Sequence, residues 1–259
     1  MAVMTGHPPT SAGARRALEP LGGSDRSAVR VIDEDAGLLG PLEGELAEAA
    51  RHQLVARAMW RDPGRWEPLG ADLPRRFDGW LGILMLDGLV VRQLTVGALR
   101  CCELLGPGDI LRPWDEDFGA ATLDSDAVWR VLEPTRLALL DAGFARRASR
   151  WPSLHAELMH RSLRRSRSLS VLLALTQARR ADVRLRTLFW HLADRWGRVT
   201  PEGVVLPLRL THSLIAQLTG LRRPSVSLSL GELERSGEIV RVSKSSWLLA
   251  HNAGARKAA

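Results

Sequence analysis

The sequence predicts an α+β fold with three parts in order: an N-terminal antiparallel β-roll, one long helix and a C-terminal winged helix-turn-helix. Residues 72–140 are short apolar runs separated by glycine-containing turns, a pattern typical of an antiparallel roll or barrel. Residues 151–177 carry leucines at incomplete helical spacing. Residues 210–239 hold two short helical patterns joined by a glycine turn, and a hairpin pattern follows them.

The composition favours a basic cytoplasmic protein with a polyanionic partner. The 259 residues carry a formal net charge of +7, and much of the excess is arginine, the side chain best suited to phosphate. The two cysteines, Cys101 and Cys102, are adjacent and match neither a disulfide nor a zinc spacing. A reducing compartment is therefore expected. No apolar run reaches the length of a membrane span, and the N-terminus lacks the apolar core of a secretory signal.

The first part of the chain predicts a tail and then short helices. Residues 1–30 are rich in Gly, Ala, Ser, Pro and Arg and are predicted to be a mobile tail. Residues 31–60 predict one or two short amphipathic helices.

The roll pattern contains one strong hairpin signal. Leu81–Leu86 and Leu89–Leu94 flank the pair Asp87-Gly88, which predicts two strands and a tight turn. Further strands are predicted at Leu99–Leu105, Ala127–Leu132 and Arg136–Leu140.

The long helix is predicted from Trp151 to about Gln177. Its incomplete apolar seam consists of Leu154, Leu158, Leu169, Leu172 and Leu173. The stretch HRSLRRSRS interrupts this seam with arginines and serines. Such a helix between two domains pairs with its copy in a dimer, spans the domains, or packs within its own domain.

The helix-turn-helix has a cap, a turn and a second helix. Thr211 is a predicted N-cap, Gly220 is placed for a turn with positive φ, and Pro224 suits the first position of the second helix. Three residues of that helix, Val226, Leu230 and Leu233, are predicted to face the core. Four others, Arg223, Ser225, Ser227 and Leu228, would point outward, which suits insertion into a DNA major groove. The alternative is an ordinary buried helical hairpin with a basic turn.

The order of roll, long helix and winged helix-turn-helix resembles the CRP/FNR family of bacterial transcription regulators. Residues 198–240, RVTPEGVVLPLRLTHSLIAQLTGLRRPSVSLSLGELERSGEIV, carry this resemblance. GPGD at 106–109 and the stretch 135–163 give weaker support. The resemblance covers roughly residues 75–250.

The resemblance implies a domain plan and partners. It implies a cyclic-nucleotide-binding-like sensor roll at 31–150, a dimerisation helix at 151–180 and a DNA-binding domain at 181–259. The expected partners are double-stranded DNA and a second copy of the chain. RNA polymerase is a further candidate partner, and the small-molecule effector is left open.

The resemblance also assigns DNA-contacting residues. Arg223 stands where the family has its guanine-reading arginine, and Ser225, Ser227 and Leu228 complete the predicted base-reading set. Pro224 and Leu228 replace the family's acidic and second arginine readers, so the family's common half-site is not carried over. Positions that match phosphate contacts are Thr211, His212, Ser213, Arg222 and Lys244, with Ser225 also at such a position.

No cofactor is predicted. The resemblance places Arg112–Trp114 and Ser125–Asp126 where cyclic-nucleotide-binding members hold ribose and cyclic phosphate, and no arginine stands at the phosphate position. The acidic residues crowding this segment are Asp115, Glu116, Asp117, Asp124 and Asp126. Neither cyclic AMP nor cyclic GMP is therefore expected to bind. Two adjacent cysteines cannot hold an iron–sulfur cluster. A haem would need an axial ligand from among His52, His155 and His160, and haem is not expected either.

Catalysis is not expected, because the sequence has none of the common nucleophile, zinc-protease or phosphate-loop motifs. Two functions therefore remain. The first is a sequence-specific, homodimeric DNA-binding regulator. The second is a β-roll module that binds a small molecule or protein and uses its basic helical tail for assembly.

Overall fold

The computed structural model describes residues 28–70, 73–74, 76–115 and 125–250. Its strands are β1 (Ala28–Arg30), β2 (Val55–Arg61), β3 (Gly64–Trp66), β4 (Gly82–Val96), β5 (Leu99–Leu105), β6 (Ile110–Leu111), β7 (Ser125–Leu140), β8 (Arg198–Thr200), β9 (Gly203–Leu206), β10 (Ile239–Ser243) and β11 (Ser246–Ala250). Its α-helices are α1 (Val31–Glu34), α2 (Gly44–Gln53), α3 (Ala142–Ala148), α4 (Pro152–Gln177), α5 (Ala181–Trp196), α6 (His212–Thr219) and α7 (Arg223–Arg235).

Strands β4 and β7 form the centre of the N-terminal sheet. The strand order is β1-β2-β7-β4-β5, with β3 also paired to β7 and β6 to β4. All of these pairings are antiparallel. The predicted α+β fold class, with its antiparallel roll, long helix and C-terminal winged helix-turn-helix, is confirmed.

The predicted hairpin at Asp87-Gly88 is wrong, because β4 runs straight through this pair. The pairing register with β7 shifts on both sides of Gly88, which makes the pair a β-bulge. Gly88 has a φ of 91°, and a Cβ there would lie 2.4 Å from the Thr135 hydroxyl oxygen. Glycine is therefore needed for a close approach between strands and not for a turn.

The two strands predicted at Ala127–Leu132 and Arg136–Leu140 are also wrong as separate strands, because β7 includes both. Pro134, which lies between them, has no N–H to donate. It lies opposite the bulge of β4, where the ladder is already interrupted between the Asp87↔Arg136 and Leu89↔Glu133 pairs. The strand predicted at Leu99–Leu105 is confirmed as β5.

The predicted tail includes three residues that the structure places in a strand. Residues 28–30 form β1 and pair with β2, with Ala28 opposite Arg57. The tail prediction is wrong for these three residues, and residues 1–27 lie outside the described residues. The short helices predicted within 31–60 are confirmed as α1 and α2, although β2 begins at Val55.

Helix α4 joins the roll to the C-terminal half and confirms the predicted long helix. Leu154 and Leu158 are buried against the roll. The later seam residues Leu169 and Leu173 are 41% and 67% exposed within one chain. Arg161 is buried instead, because its guanidinium pairs with Asp35.

The C-terminal half shares a hydrophobic core with the outer surface of the roll. Its second sheet has the order β10-β11-β9-β8, and α5 and α7 pack against it, whereas α6 packs against β5 of the roll. One side of α5 is buried, with four large apolar residues: Leu185, Leu188, Phe189 and Leu192. The same cluster includes Val91, Cys102 and Leu104 from β4 and β5. Among the residues that the structure describes, no helix has the length and apolar character needed to cross a membrane.

Candidate nucleic-acid interface

Helix α6 is positioned by the cap and turn that the sequence predicts. The Thr211 hydroxyl oxygen accepts a hydrogen bond from the Leu214 N–H at 3.1 Å, so Thr211 is the N-cap. Ile215 and Leu218 are buried on the inner side of the helix. The helix ends at Gly220, whose φ of 66° allows the turn into α7.

Helix α7 begins one residue earlier than predicted, so Pro224 is its second residue and Arg222 precedes it as the capping residue. Val226, Leu230 and Leu233 are at most 3% exposed and fix the inner side, as the spacing predicts. The residues between these three positions therefore form the outer side of α7.

The predicted base-reading residues all lie on this outer side. Arg223, Ser225 and Ser227 are exposed, and the Leu228 side chain is 66% exposed. They do not form one cluster, however. Arg223 and Ser227 are one helical turn apart, whereas Ser225 lies roughly 160° around the axis from Ser227. Ser225 therefore occupies the opposite edge of the exposed surface, which favours its second predicted role as a phosphate contact.

A side-chain contact joins the starts of the two helices. His212 Nδ1 lies 2.8 Å from Ser227 Oγ, and Ser227 Oγ lies 3.1 Å from the Arg223 carbonyl oxygen. The structure thus brings together one residue predicted for phosphate and one predicted for a base.

The remaining predicted phosphate contacts come from three places along the chain. Thr211 and Ser213 lie at the start of α6, Arg222 lies before α7, and Lys244 lies in the turn between β10 and β11. All four side chains are exposed.

The turn of the wing is organised by an arginine that the sequence pattern did not single out. Arg241 donates to the carbonyl oxygens of Ser243 and Lys244, at 3.2 and 3.4 Å, and its guanidinium lies over the Trp247 ring. Ser245 N donates to Ser243 Oγ at 3.1 Å. Arg241 therefore holds the turn that presents Lys244. Arg241 lies on the same face of β10 as the buried Ile239, and its partners follow only from the folded hairpin.

In the roll, Arg112, which the alignment places at the ribose position of a cyclic-nucleotide site, contacts neighbouring groups of the protein. The Arg112 guanidinium pairs with Asp115 and donates to the carbonyl oxygens of Trp80 and Leu81, at 2.9 and 3.1 Å. Asp126 lies exposed at the start of β7. Three of the acidic residues in this segment, Glu116, Asp117 and Asp124, lie outside the described residues.

The interior of the roll is occupied by aromatic and aliphatic side chains. Trp66 and Trp129 are buried and meet edge to face, with ring centroids 5.6 Å apart. At one end, Phe77 stacks on Trp114 at 4.1 Å, and Trp80 packs edge-on against both. Large apolar side chains therefore occupy the described part of the roll interior.

The cysteines and histidines are dispersed. Cys101 is exposed and Cys102 is buried, so one faces the core as the strand alternation predicts. Burial, with the nearby charges of Cys101 and Glu103, raises the pKa of the Cys102 thiol to about 12. The three candidate haem ligands are the exposed His160, His52 beside Glu48, and His155 near the Trp151 carbonyl oxygen. Within the described ranges, no three His, Cys, Asp or Glu side chains are grouped to hold a metal ion.

Comparisons with known proteins agree with this architecture. Residues 183–252 match the family model for the Crp-like helix-turn-helix domain. The regulatory protein CysR of Synechococcus elongatus is 38% identical over 86 residues, which are 32% of this chain and 42% of that protein. The chain therefore spans less than half the length of this curated relative.

Solved structures extend the likeness to the whole fold. FixK2 from Bradyrhizobium japonicum has 18% identity and a TM-score of 0.57, over 80% of this chain and 99% of that one. A CooA mutant from Carboxydothermus hydrogenoformans has 19% identity and a TM-score of 0.56, over 75% and 83%. A CRP/FNR-family transcriptional regulator from Thermus thermophilus has 21% identity and a TM-score of 0.50, over 76% and 95%. Residues 183–252 thus resemble the Crp-like helix-turn-helix domain, in a chain with the fold of CRP/FNR regulators.

Proposed function

We propose that this chain is a sequence-specific DNA-binding transcription regulator of the CRP/FNR type and not an enzyme. The observation that carries the proposal is the exposed N-terminal end of α7. There Arg222 and Arg223 stand free of carboxylate partners within the described structure, while Val226 and Leu230 anchor the helix below them. A helix that presents arginine at its N-terminal end, inside a domain of this family, is suited to the DNA major groove. The net charge of +7 adds a general attraction to phosphate.

The test is a titration of the purified protein against genomic DNA fragments at two salt concentrations. We expect Arg223→Ala to lower affinity for the preferred fragments by roughly 5- to 150-fold, the usual contribution of one bidentate arginine–guanine contact. Arg235→Ala is the matched control, because it removes the same charge from the exposed C-terminal end of α7, roughly 18 Å away.

Weak binding that is equally salt-sensitive on every fragment, and unchanged by Arg223→Ala, would contradict the proposal. That result would favour the second function, a ligand- or protein-binding roll with a basic assembly tail.

The proposed regulator is a homodimer paired through α4. The apolar side chains left exposed along this helix are Met159, Leu163, Leu169 and Leu173, between 41% and 67% exposed. Their near-heptad spacing suits a parallel partner helix of the same sequence. Pairing would present two copies of α7 to successive major grooves of one operator.

Sedimentation at micromolar concentration tests this arrangement. The wild-type chain is expected to be a dimer and Leu163→Glu/Leu173→Glu a monomer. Leu46→Glu, on α2 and 60% exposed, is the control for adding an acidic group at an exposed leucine. A monomeric wild-type chain would contradict the two-half-site model.

The proposed sensor roll does not use a cyclic nucleotide. Support comes from Arg112, whose guanidinium is already engaged by Asp115 and two carbonyl oxygens, and from the packed pair Trp66 and Trp129. Calorimetric titration with cyclic AMP and cyclic GMP is expected to show no saturable heat. Saturable binding of either nucleotide would contradict this part of the proposal.

A further inference from the structure

The contact between His212 and Ser227 fixes what Ser227 can offer to DNA. His212 is the first residue of α6, and Ser227 lies in the second turn of α7. Ser227 Oγ has two protein partners, His212 Nδ1 at 2.8 Å and the Arg223 carbonyl oxygen at 3.1 Å.

A serine hydroxyl has one hydrogen to donate and two lone pairs to accept with. In the first arrangement, Ser227 donates its hydrogen to His212 Nδ1. In the second, His212 carries a hydrogen on Nδ1 and donates it to Ser227 Oγ, and Ser227 donates its own hydrogen to the Arg223 carbonyl oxygen.

The two arrangements agree on the outer side. In both, the hydroxyl hydrogen of Ser227 is directed to a protein acceptor, and at least one lone pair of Oγ remains for an outside donor. A doubly protonated His212 changes nothing, because it requires the second arrangement.

We propose that Ser227 reads DNA as a hydrogen-bond acceptor only, because its two protein partners, His212 Nδ1 and the Arg223 carbonyl oxygen, keep its hydrogen within the protein. This inference rests on the proposed DNA-reading function. In the major groove, adenine N6 and cytosine N4 are donors, whereas guanine and thymine present only acceptors there. A serine with a free hydroxyl can pair with either kind of edge. Ser227, with its hydrogen directed to these protein acceptors, instead selects adenine or cytosine at the base it faces.

The same contact orients His212 toward the DNA backbone. Phosphate oxygens only accept hydrogen bonds, so a neutral His212 that binds phosphate must carry its hydrogen on Nε2. Nδ1 is then the acceptor, which is the first arrangement. One side chain therefore joins a backbone contact to the reading of a neighbouring base.

The experiment is a random-site selection with the full-length protein, followed by titration of the selected site. The wild-type protein is expected to show one base position where adenine or cytosine is preferred and which depends on Ser227. Ser227→Ala should lose that preference by roughly tenfold in affinity, the usual size of a lost hydrogen bond at a specific base. Ser236→Ala, at an exposed serine beyond the C-terminal end of α7 whose hydroxyl donates to the Leu233 carbonyl oxygen, should keep it.

One further variant separates the reading of the base from the contact with phosphate. His212→Ala leaves the Arg223 carbonyl oxygen as an acceptor for the Ser227 hydrogen, so the preference for adenine or cytosine should persist while affinity for every sequence falls with the lost phosphate contact. Near-identical thermal melting of the variants establishes that each one folds.

A base analogue provides the direct readout. Replacing the selected adenine by purine, or the cytosine by 2-pyrimidinone, removes the amino group alone. This replacement should lower the affinity of the wild-type protein for the site roughly tenfold and leave the affinity of Ser227→Ala unchanged. A Ser227-dependent preference for guanine or thymine, or a selected site that does not change in Ser227→Ala, would overturn the inference alone. Failure of the wild-type protein to select any sequence would overturn the proposed function as well.

Discussion

Arg195 in α5 pairs with Asp109 in the turn between β5 and β6, with Nη2 and Oδ2 2.8 Å apart. The same guanidinium donates to the carbonyl oxygens of Gly106 and Pro107. Arg161 of α4 donates to the Gly108 carbonyl oxygen of this turn. One short turn of the roll therefore contacts both the long helix α4 and helix α5 of the C-terminal half.

Arg195→Ala is expected to lower the free energy of unfolding by about 1–2 kcal/mol. The Asp109 side chain is 8% exposed and would lose its cationic partner, although it keeps the N–H of Gly106. The loss should be below that of a fully buried pair, because Arg195 is partly in solvent. Urea denaturation measures the change, and Arg198→Ala, at an exposed arginine of β8, is the control. Equal stabilities of the two variants would contradict the assigned role.

Glu103→Gln is expected to lower the free energy of unfolding by more than Arg195→Ala, by about 3 kcal/mol. Glu103 is 4% exposed and lies between Arg92 of β4 and Arg165 of α4. Removing its charge leaves two cations close together in a poorly solvated place. Chemical denaturation provides the measurement. Glu48→Gln breaks an exposed pair with Arg51 and should produce no measurable change.

The two cysteines are expected to differ in reactivity. At pH 8 a thiol reagent should modify about one cysteine per native chain, and Cys101→Ser should abolish the fast reaction. Burial raises the pKa of the Cys102 thiol from 9.0 to about 12, so its nucleophilic thiolate is scarce at this pH. Two rapidly reacting thiols in the native protein would show that β5 does not stay covered by α6.

The raised pKa of Cys102 also has a consequence for stability. The neutral thiol is favoured by folding, so its contribution is fully present below pH 9.0 and is lost as the pH rises toward about 12. Between these values, Cys102→Ser should show a smaller fall in the free energy of unfolding than the wild-type protein. Identical slopes would contradict the assignment.

The ring of His191 in α5 is expected to lower the free energy of unfolding as the pH falls. Burial lowers the pKa of His191 below 6.5, and its Nε2 lies 2.8 Å from the Ser168 hydroxyl oxygen of α4. Folding therefore favours the neutral ring, and its stabilising effect is present above pH 6.5 and is lost as the pH falls below that value. His191→Gln should flatten the stability profile in this range. A profile as steep as that of the wild-type protein would assign the pH dependence to other groups.

Local features of the fold could be predicted from the sequence, whereas features that depend on distant partners could not. The cap at Thr211, the turn at Gly220 and the buried Val226 follow from neighbours within one helix pair. The local sequence around Gly88, in contrast, fits both a hairpin turn and a β-bulge. Only its close approach to Thr135, which lies far away along the chain, decides between them.

The candidate site follows the same division. The exposure of Arg223 and Ser227 could be predicted from helical spacing. The contact between His212 and Ser227 could not, because it depends on how α6 and α7 cross. The burial of Arg161 could not be predicted either, because its partner Asp35 lies directly after α1, far from α4 along the chain.

A random-site selection with the wild-type protein, Arg223→Ala and Arg235→Ala tests most directly whether α7 reads DNA in a dimer. We expect the wild-type protein and Arg235→Ala to select two inverted half-sites whose centres are about one helical turn of DNA, or a multiple of it, apart. Arg223→Ala should lose the preference at one symmetric position in each half-site. Selection of no common sequence by the wild-type protein, or an unchanged site for Arg223→Ala, would contradict the claim.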